Sequence, residues 1–272
     1  MKASRRNRNQ LITLAFGIIL IAAWEAASRA GVIHTLVVPP PSRIIAELPG
    51  MVGTSLFLEN LATTLIEILI GFSIASAAAF LLAILLSTSE VARVAIYPYI
   101  IALQAPPKIT LVPIFVTLFG FGLASKIAMA AVIAFFPMFL NMFVGLTQAN
   151  REANKLFRAL TASKAQTFLK LKLPGSLPFM FTGIKLGWTM SVIGVIVAEF
   201  LGARKGIGYL IQTYNFQLKM AQVFGLIIIL SLLTVAVYKA LERIEARWLF
   251  WSIDESEATE LERPPVTSDA YM

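Results

Sequence analysis

Five ionisable side chains interrupt the long apolar runs of this sequence: Glu25, Glu67, Lys108, Lys185 and Glu199. A charge in a run suited to hydrocarbon is expensive and marks a functional position by default. The chemistry open to these groups is bounded by what surrounds them. There is no cysteine, which removes disulfides, thiol nucleophiles and thiolate metal sites. His34 is the sole histidine, so a His-based metal cluster and a Ser-His-Asp triad are excluded. Gly202, Gly206 and Gly208 lack the spacing of a nucleotide loop, no GxxxxGK[ST] stretch occurs, and they read as turn glycines. The chain is therefore expected to hold no catalytic residue, no metal site and no cofactor. Glu25, Glu67, Lys108 and Lys185 lie near run ends or breaks and read as interface anchors. Glu199 reads as a hydrogen-bonding brace for the 202–210 turn, in preference to a direct substrate contact.

The elements that must position these groups follow from composition. With 58% hydrophobic and only 14% charged residues, the chain has too few charges to cover a water-soluble domain. Its apolar runs approach the ~20 residues that cross a bilayer as a helix, instead of the ~10-residue alternating segments of a membrane barrel. An all-α integral membrane protein is expected, with spans at about 11–29, 61–87, 94–119, 127–147, 179–201 and 222–240. Residues 1–10 form a basic N-terminus, 11–253 one transmembrane domain, and 254–272 an acidic tail read as disordered and cytoplasmic. The small residues at 26–30 are compatible with a cleaved signal peptide, but the basic flank and the run length favour an uncleaved first span.

Basic residues orient the bundle. With the N-terminus inside, the inner side holds Lys2, Arg5, Arg6, Arg8, Arg93, Arg151, Lys155, Arg158, Lys164, Lys170, Lys172, Lys239, Arg243, Arg247 and Arg263. The outer side holds only Arg29, Arg43, Lys126, Arg204, Lys205 and Lys219. Both termini and the 148–178 loop are thus expected in the cytoplasm. On the outer side, Val38-Pro39-Pro40-Pro41-Ser42 opens a helix with Ser42 as cap and Ile44, Ile45 and Leu48 on one face, placing 42–58 at the interface.

The 148–178 loop carries more than charge. Leu156, Phe157, Leu160, Ala165, Phe168 and Leu171 recur at helical spacing around Thr161-Ala162-Ser163, which predicts two short helices with a turn near Thr161. Leu173-Pro174 is expected to break the second helix, and Pro178 to sit in the first turn of the fifth span. In that span, Gly183 and Gly187 form a GxxxG pair that Ser191, Gly194, Ala198 and Gly202 extend, a small-residue face for close packing in the bundle or at a pore-lining dimer interface. Ser73, Ser76, Ala77 and Ala79 form a second such face in span two.

The loop resembles the cytoplasmic loop of permease subunits of binding-protein-dependent ABC importers. That pattern runs Glu-Ala-Ala, three residues, Gly, nine residues, Ile, one residue, Leu-Pro. Aligned on Leu173-Pro174, its Ile falls on Leu171, its Gly on Thr161 and its Glu-Ala-Ala on Lys155-Leu156-Phe157, so the second half matches and the Glu and Gly are replaced. The ordered set of Val38–Ser42, Ile70-Gly71-Phe72, Pro106-Pro107-Lys108 with Leu111-Val112-Pro113, Phe119-Gly120-Phe121-Gly122, Ala134-Phe135-Phe136-Pro137 with Asn141, Val197-Ala198-Glu199 and Gly206-Ile207-Gly208-Tyr209-Leu210 resembles the nitrate/sulfonate/taurine class.

The resemblance implies a fold and a set of partners. These are a type I importer permease in a bacterial inner membrane, two ATP-binding cassette ATPase subunits, an external substrate-binding protein and a second permease copy, with homodimer favoured. ATP would be bound by the ATPase, and no nucleic-acid partner is implied. It assigns ATPase coupling to Lys155, Leu156, Phe157, Arg158, Thr161, Ala162, Ser163, Lys164, Leu173 and Pro174; the residue pattern of the fifth span itself assigns pore or helix packing to Gly183, Gly187, Ser191, Gly194 and Glu199. The loss of Gly at Thr161 puts the sharp turn in question, because Thr tolerates positive φ poorly. Lys155 in place of Glu suggests an acidic contact on the ATPase. No substrate-binding residue is assigned. The Phe135-Phe136-Pro137 and Asn141 pattern resembles members handling pyrimidine vitamin precursors, riboflavin-like or aromatic solutes more than nitrate or sulfonate members, and the cargo is expected to be a small organic solute of the former kinds, or else a sulfonate or nitrate. An ATP-independent channel or secondary transporter and an ATPase-coupled sensor are the competing readings.

Overall fold

The computed structural model describes residues 2–148 and 151–249, and every regular element among them is helical. The helices are α1 (Lys2–Arg29), α2 (Pro41–Val52), α3 (Ser55–Thr88), α4 (Glu90–Gln104), α5 (Val112–Phe119), α6 (Leu123–Thr147), α7 (Arg151–Ala159), α8 (Lys164–Thr167), α9 (Leu173–Gly202), α10 (Ile207–Phe216) and α11 (Met220–Trp248). Among the described residues, five stretches are long and apolar enough to cross a membrane: Leu11–Arg29, Ser55–Thr88, Leu123–Thr147, Lys164–Gly202 and Met220–Trp248. The third expected span is instead a pair, Glu90–Gln104 and Lys108–Phe119, bent by 92°. The cause is local: Pro106 and Pro107 remove two successive backbone donors, and a 3-10 turn (Lys108–Leu111) redirects the chain. The acidic tail at 254–272 lies outside the described residues.

Two compact units share this chain. One consists of residues up to Glu67 with Val195–Leu233, the other of Ile68–Gly194 with the residues from Thr234 onward, so the division falls inside α3, α9 and α11.

In the second unit α6 is central. Ala75, Ala79 and Ala83 of α3 are buried against a core containing Met138, Phe139, Met142 and Leu146. A Cβ on Gly71 would come within 2.5 Å of the Ala130 Cβ, and one on Gly194 of α9 within 2.8 Å of the Ala130 Cα. Helices approach this closely only where side chains are absent or minimal. The small-residue face of α3 is therefore the four-residue repeat Gly71, Ala75, Ala79, Ala83. The expected face at Ser73, Ser76, Ala77 and Ala79 is corrected, since Ser73 and Ala77 are exposed. Along α6 and α4, Phe135, Phe139 and Phe143 stack in succession, and Tyr97 meets Phe143 with ring centroids 5.0 Å apart.

Lys185 is tied to α11 near that helix's C-terminal end. It sits well inside α9 and pairs with Glu245 of α11 at 2.5 Å, while the Trp188 indole N–H donates to the Thr234 carbonyl at 3.1 Å. Glu67 likewise lies inside α3 and is buried.

In the first unit, α2 buries Ile44 and Met51 and leaves Ile45 65% exposed, so the face is 44, 48, 51 and not 44, 45, 48. Ser42 is not the cap of α2. The helix starts at Pro41, and the Glu25 carboxylate of α1 accepts both the Ser42 amide (3.0 Å) and its hydroxyl (2.7 Å). A carboxylate at a helix N-terminus satisfies orphan amides and complements the helix dipole. Met51 and Phe57 then pack with Ile207, Leu210, Val223 and Leu226.

Candidate functional site

Two local devices shape the loop between α6 and α9. The first ends α7. Thr161 adopts φ of 54°, its amide donates to the Arg158 carbonyl and the Ala162 amide donates to Phe157, both at 3.0 Å. This is a Schellman closure with threonine in the left-handed position normally filled by glycine. The sharp turn is thus made without the glycine. Ser163 immediately restarts the helix through a capping box: its hydroxyl accepts the Gln166 amide at 3.2 Å, and its amide donates to the Gln166 side chain at 2.8 Å.

The second device corrects the expected break at Pro174. α8 runs through a π-turn (Phe168–Lys172) directly into α9, and the Leu173 amide donates back five residues to Phe168. A proline in regular helix clashes with the carbonyl four residues earlier; the wider turn just before Pro174 gives the ring room. Pro178 consequently lies inside α9, not in its first turn. The two prolines mark a stiff helical lead into the span.

The coupling residues implied by the sequence are spread over α7, the turn after it, α8 and the first residues of α9. Lys155, Arg158, Ser163 and Lys164 are exposed, Leu156 is 58% exposed, and Phe157, Ala162, Leu173 and Pro174 are half-buried. Leu160, also 68% exposed, joins Leu156 on an apolar strip along α7.

The residues assigned to pore or helix packing all lie on α9. Gly183 faces Asn141 and Met138, Gly187 faces Met138, and Gly194 faces Ala130. Ser191 is fully buried, its hydroxyl without a partner among the described residues.

Glu199 is the centre of a second constellation, in the first unit. It is fully buried; its carboxylate accepts the Thr64 hydroxyl and the Gly208 amide, each at 2.6 Å. Thr64 in turn accepts the Ile207 amide at 2.8 Å, and Asn60 accepts the Gly206 amide at 2.6 Å. The Gly206, Ile207 and Gly208 amides at the start of α10, which no intrahelical carbonyl reaches, are taken by side chains of α3 and α9. Glu199 does brace this segment by hydrogen bonds. Gly206, at φ of 117°, is a turn glycine as expected. Gly208 is something else: a Cβ there would meet the Glu199 Cβ and the Ile196 carbonyl at 2.8 Å, so it permits close approach. Asn60 and Thr64 were not singled out in the sequence. Their one signal is two polar residues four apart at the head of an apolar run.

Several helices long and apolar enough to span a membrane, with a short helical loop that exposes an apolar strip, define a multi-span membrane protein. The family of binding-protein-dependent transport system inner membrane components matches residues 71–249. Similar proteins include the formylaminopyrimidine transport permease protein ThiX of Halalkalibacterium halodurans, 34% identical over 91% of this chain and 98% of that one. The putative aliphatic sulfonates transport permease protein SsuC of Bacillus subtilis is 27% identical over 91% of both chains. The riboflavin transport system permease protein RibX of Chloroflexus aurantiacus is 27% identical over 85% of this chain and 87% of that one. The chain belongs to the binding-protein-dependent ABC importer permeases, as a multi-pass inner-membrane component. Membership implies an ABC ATPase and a substrate-binding protein as its partners.

Proposed function

We propose that this chain forms the translocation path of an ATP-driven importer and receives its mechanical input through residues 155–174. The observation that carries the reading is α7, a basic helix with Leu156 exposed on it and Leu160 exposed just past its end, closed by Thr161 and followed at once by α8, which runs through unbroken helix into α9. An exposed apolar strip needs a partner to cover it, and a helix held stiffly to a span transmits displacement where a flexible linker would absorb it. The partner is the ATPase, present in two copies, with acidic groups facing Lys155 and Arg158. ATP binds there, and this chain contributes no catalysis. Two copies of the permease, with both termini and this loop in the cytoplasm, alternate between inward- and outward-open states as the ATPase pair closes. Pairing of the permease with itself is favoured.

The cargo is a small heteroaromatic solute of the formylaminopyrimidine kind, a reading supported by the 34% identity to that permease along nearly its whole length. ATP hydrolysis in proteoliposomes, with the ATPase and binding protein encoded beside this chain, tests both statements. Stimulation by a formylaminopyrimidine, lost when 155–164 are replaced by a Gly/Ser linker, is the expected result. Hydrolysis indifferent to that replacement removes the loop from the mechanism.

A further inference from the structure

The bend in the third span places a charge where hydrocarbon would otherwise be. The Lys108 ammonium lies 4.8 Å from the centroid of the Phe136 ring. Phe136 sits about 20 Å and about 17 Å along α6 from its two ends, at 1.5 Å per residue. Because α6 is itself a full span, Lys108 is held near the middle of the bilayer. Its ammonium donates to the Gln104 carbonyl at 3.1 Å, and among the described residues no carboxylate pairs with it.

The backbone around it is equally unsuited to lipid. Residues 105–107 are not helical, and 101–107, 109 and 110 are exposed, including the polar Gln104 and Thr110. Non-helical backbone at membrane depth is tolerated only where protein buries it or where it lines water, and an ammonium at that depth obeys the same rule. This chain does not bury the segment. Broken spans of this kind present polar groups to solutes near the midplane of transporters.

We propose that the break at residues 104–110 lines the translocation path and that Lys108 is a solute-binding residue. It would take a hydrogen-bond acceptor of the cargo: an anionic oxygen, or a carbonyl or ring nitrogen of a neutral heteroaromatic solute. Phe136 fixes the ammonium from beneath by its ring face, leaving donors for the solute. This inference rests on the importer reading and names the group within the path that meets the cargo.

The cysteine-free chain makes the test direct. In the complete complex, Gln104→Cys is treated with an anionic and a cationic methanethiosulfonate reagent, each rate being normalised to its rate with a free thiol. Ile18→Cys, in the first span and 66% exposed, gives the lipid-facing reference. The Gln104→Cys thiol is expected to react on the order of tenfold faster than the reference, with the anionic reagent several-fold preferred, as a nearby cation dictates. Lys108→Gln abolishes the preference while the thiol stays reactive. A thiol at 104 as inert as that at 18, or a charge preference unchanged by Lys108→Gln, overturns the proposal. Solute-stimulated hydrolysis of the same complexes separates the two readings. Without stimulation in the native chain the importer reading fails, whereas stimulation intact with no charge preference at 104 sinks only Lys108. Of a neutral formylaminopyrimidine and an alkanesulfonate, the solute whose stimulation falls in Lys108→Gln and survives in Lys108→Arg identifies the kind of acceptor.

Discussion

The Glu199 carboxylate accepts the Thr64 hydroxyl at 2.6 Å, across 135 residues of sequence. Because Thr64 also accepts the Ile207 amide, and Glu199 also accepts the Gly208 amide, the two side chains hold the start of α10 as one unit. Glu199→Ala leaves a buried hydroxyl and a buried amide without acceptors, each costing about 1–3 kcal/mol. Glu199→Gln keeps one acceptor oxygen and is expected to cost about half as much. The thermal midpoint of the purified protein should therefore fall in the order native, Gln, Ala. An alanine variant melting with the native protein would mean the network contributes nothing to stability.

Gly206 tests the same unit from the steric side. A Cβ there would lie 2.2 Å from the Glu199 carboxylate, and the backbone holds φ of 117°, where side chains are strained whatever the space. Gly206→Ala should be at least as damaging as Glu199→Ala. Adding Glu199→Ala to it removes the collision but not the backbone strain, so the double variant should be less destabilised than the sum of the singles. Strict additivity in denaturant midpoints would show that the two residues do not meet.

The backbones of α9 and α6 come closer at Gly194 than at Gly183. At Gly194 a Cβ would press on the Ala130 backbone at 2.8 Å, whereas at Gly183 the nearest atoms are 3.1 Å away and lead with the Asn141 side chain. Gly194→Ala must push two helix backbones apart and is expected to cost about 1–3 kcal/mol. Gly183→Ala needs only a few tenths of an ångström from its neighbours and should cost less than half of that. Melting temperatures of the two variants decide the matter, and equal losses would deny that the helix backbones lie closer at Gly194 than at Gly183.

How much of this was legible depended on whether the deciding interaction was local. Run length alone located the helices that cross the membrane, because burial in hydrocarbon is a property of each run. Glu199 could be read as a brace because a carboxylate beside three glycines has amides within reach. Its partners Asn60 and Thr64 could not, since nothing local distinguishes them until α3 and α9 are side by side. The rule that proline ends a helix failed at Pro174 because a five-residue backbone bond upstream relieved the clash, and it held at Pro106-Pro107 where two donors are lost together. Ser42 has the right type and place for a cap, yet Glu25 arrives from another helix and takes its amide instead. On α3 the repeat Gly71, Ala75, Ala79, Ala83 was present in the sequence, but small residues nearby were as numerous and only packing against α6 selects among them.

Thr161 is, with Leu218, one of two non-glycine residues in the left-handed region among the described residues. A β-branched residue at φ of 54° stores about 1–2 kcal/mol relative to a residue without a Cβ. The α7 turn persists because it is closed from both sides, by the Ala162 amide on the Phe157 carbonyl and by the Ser163 capping box that follows. Thr161→Gly removes the strain while leaving both closures intact, and part of the gain is returned to the greater freedom of the open chain. A net stabilisation of about 1 kcal/mol slows opening of the turn about fivefold. Hydrogen exchange of the Ala162 amide reads that opening directly, at neutral pH and without any partner subunit. Slower exchange in Thr161→Gly is the expected outcome; equal or faster exchange would show that the left-handed threonine is not what limits the stability of this turn.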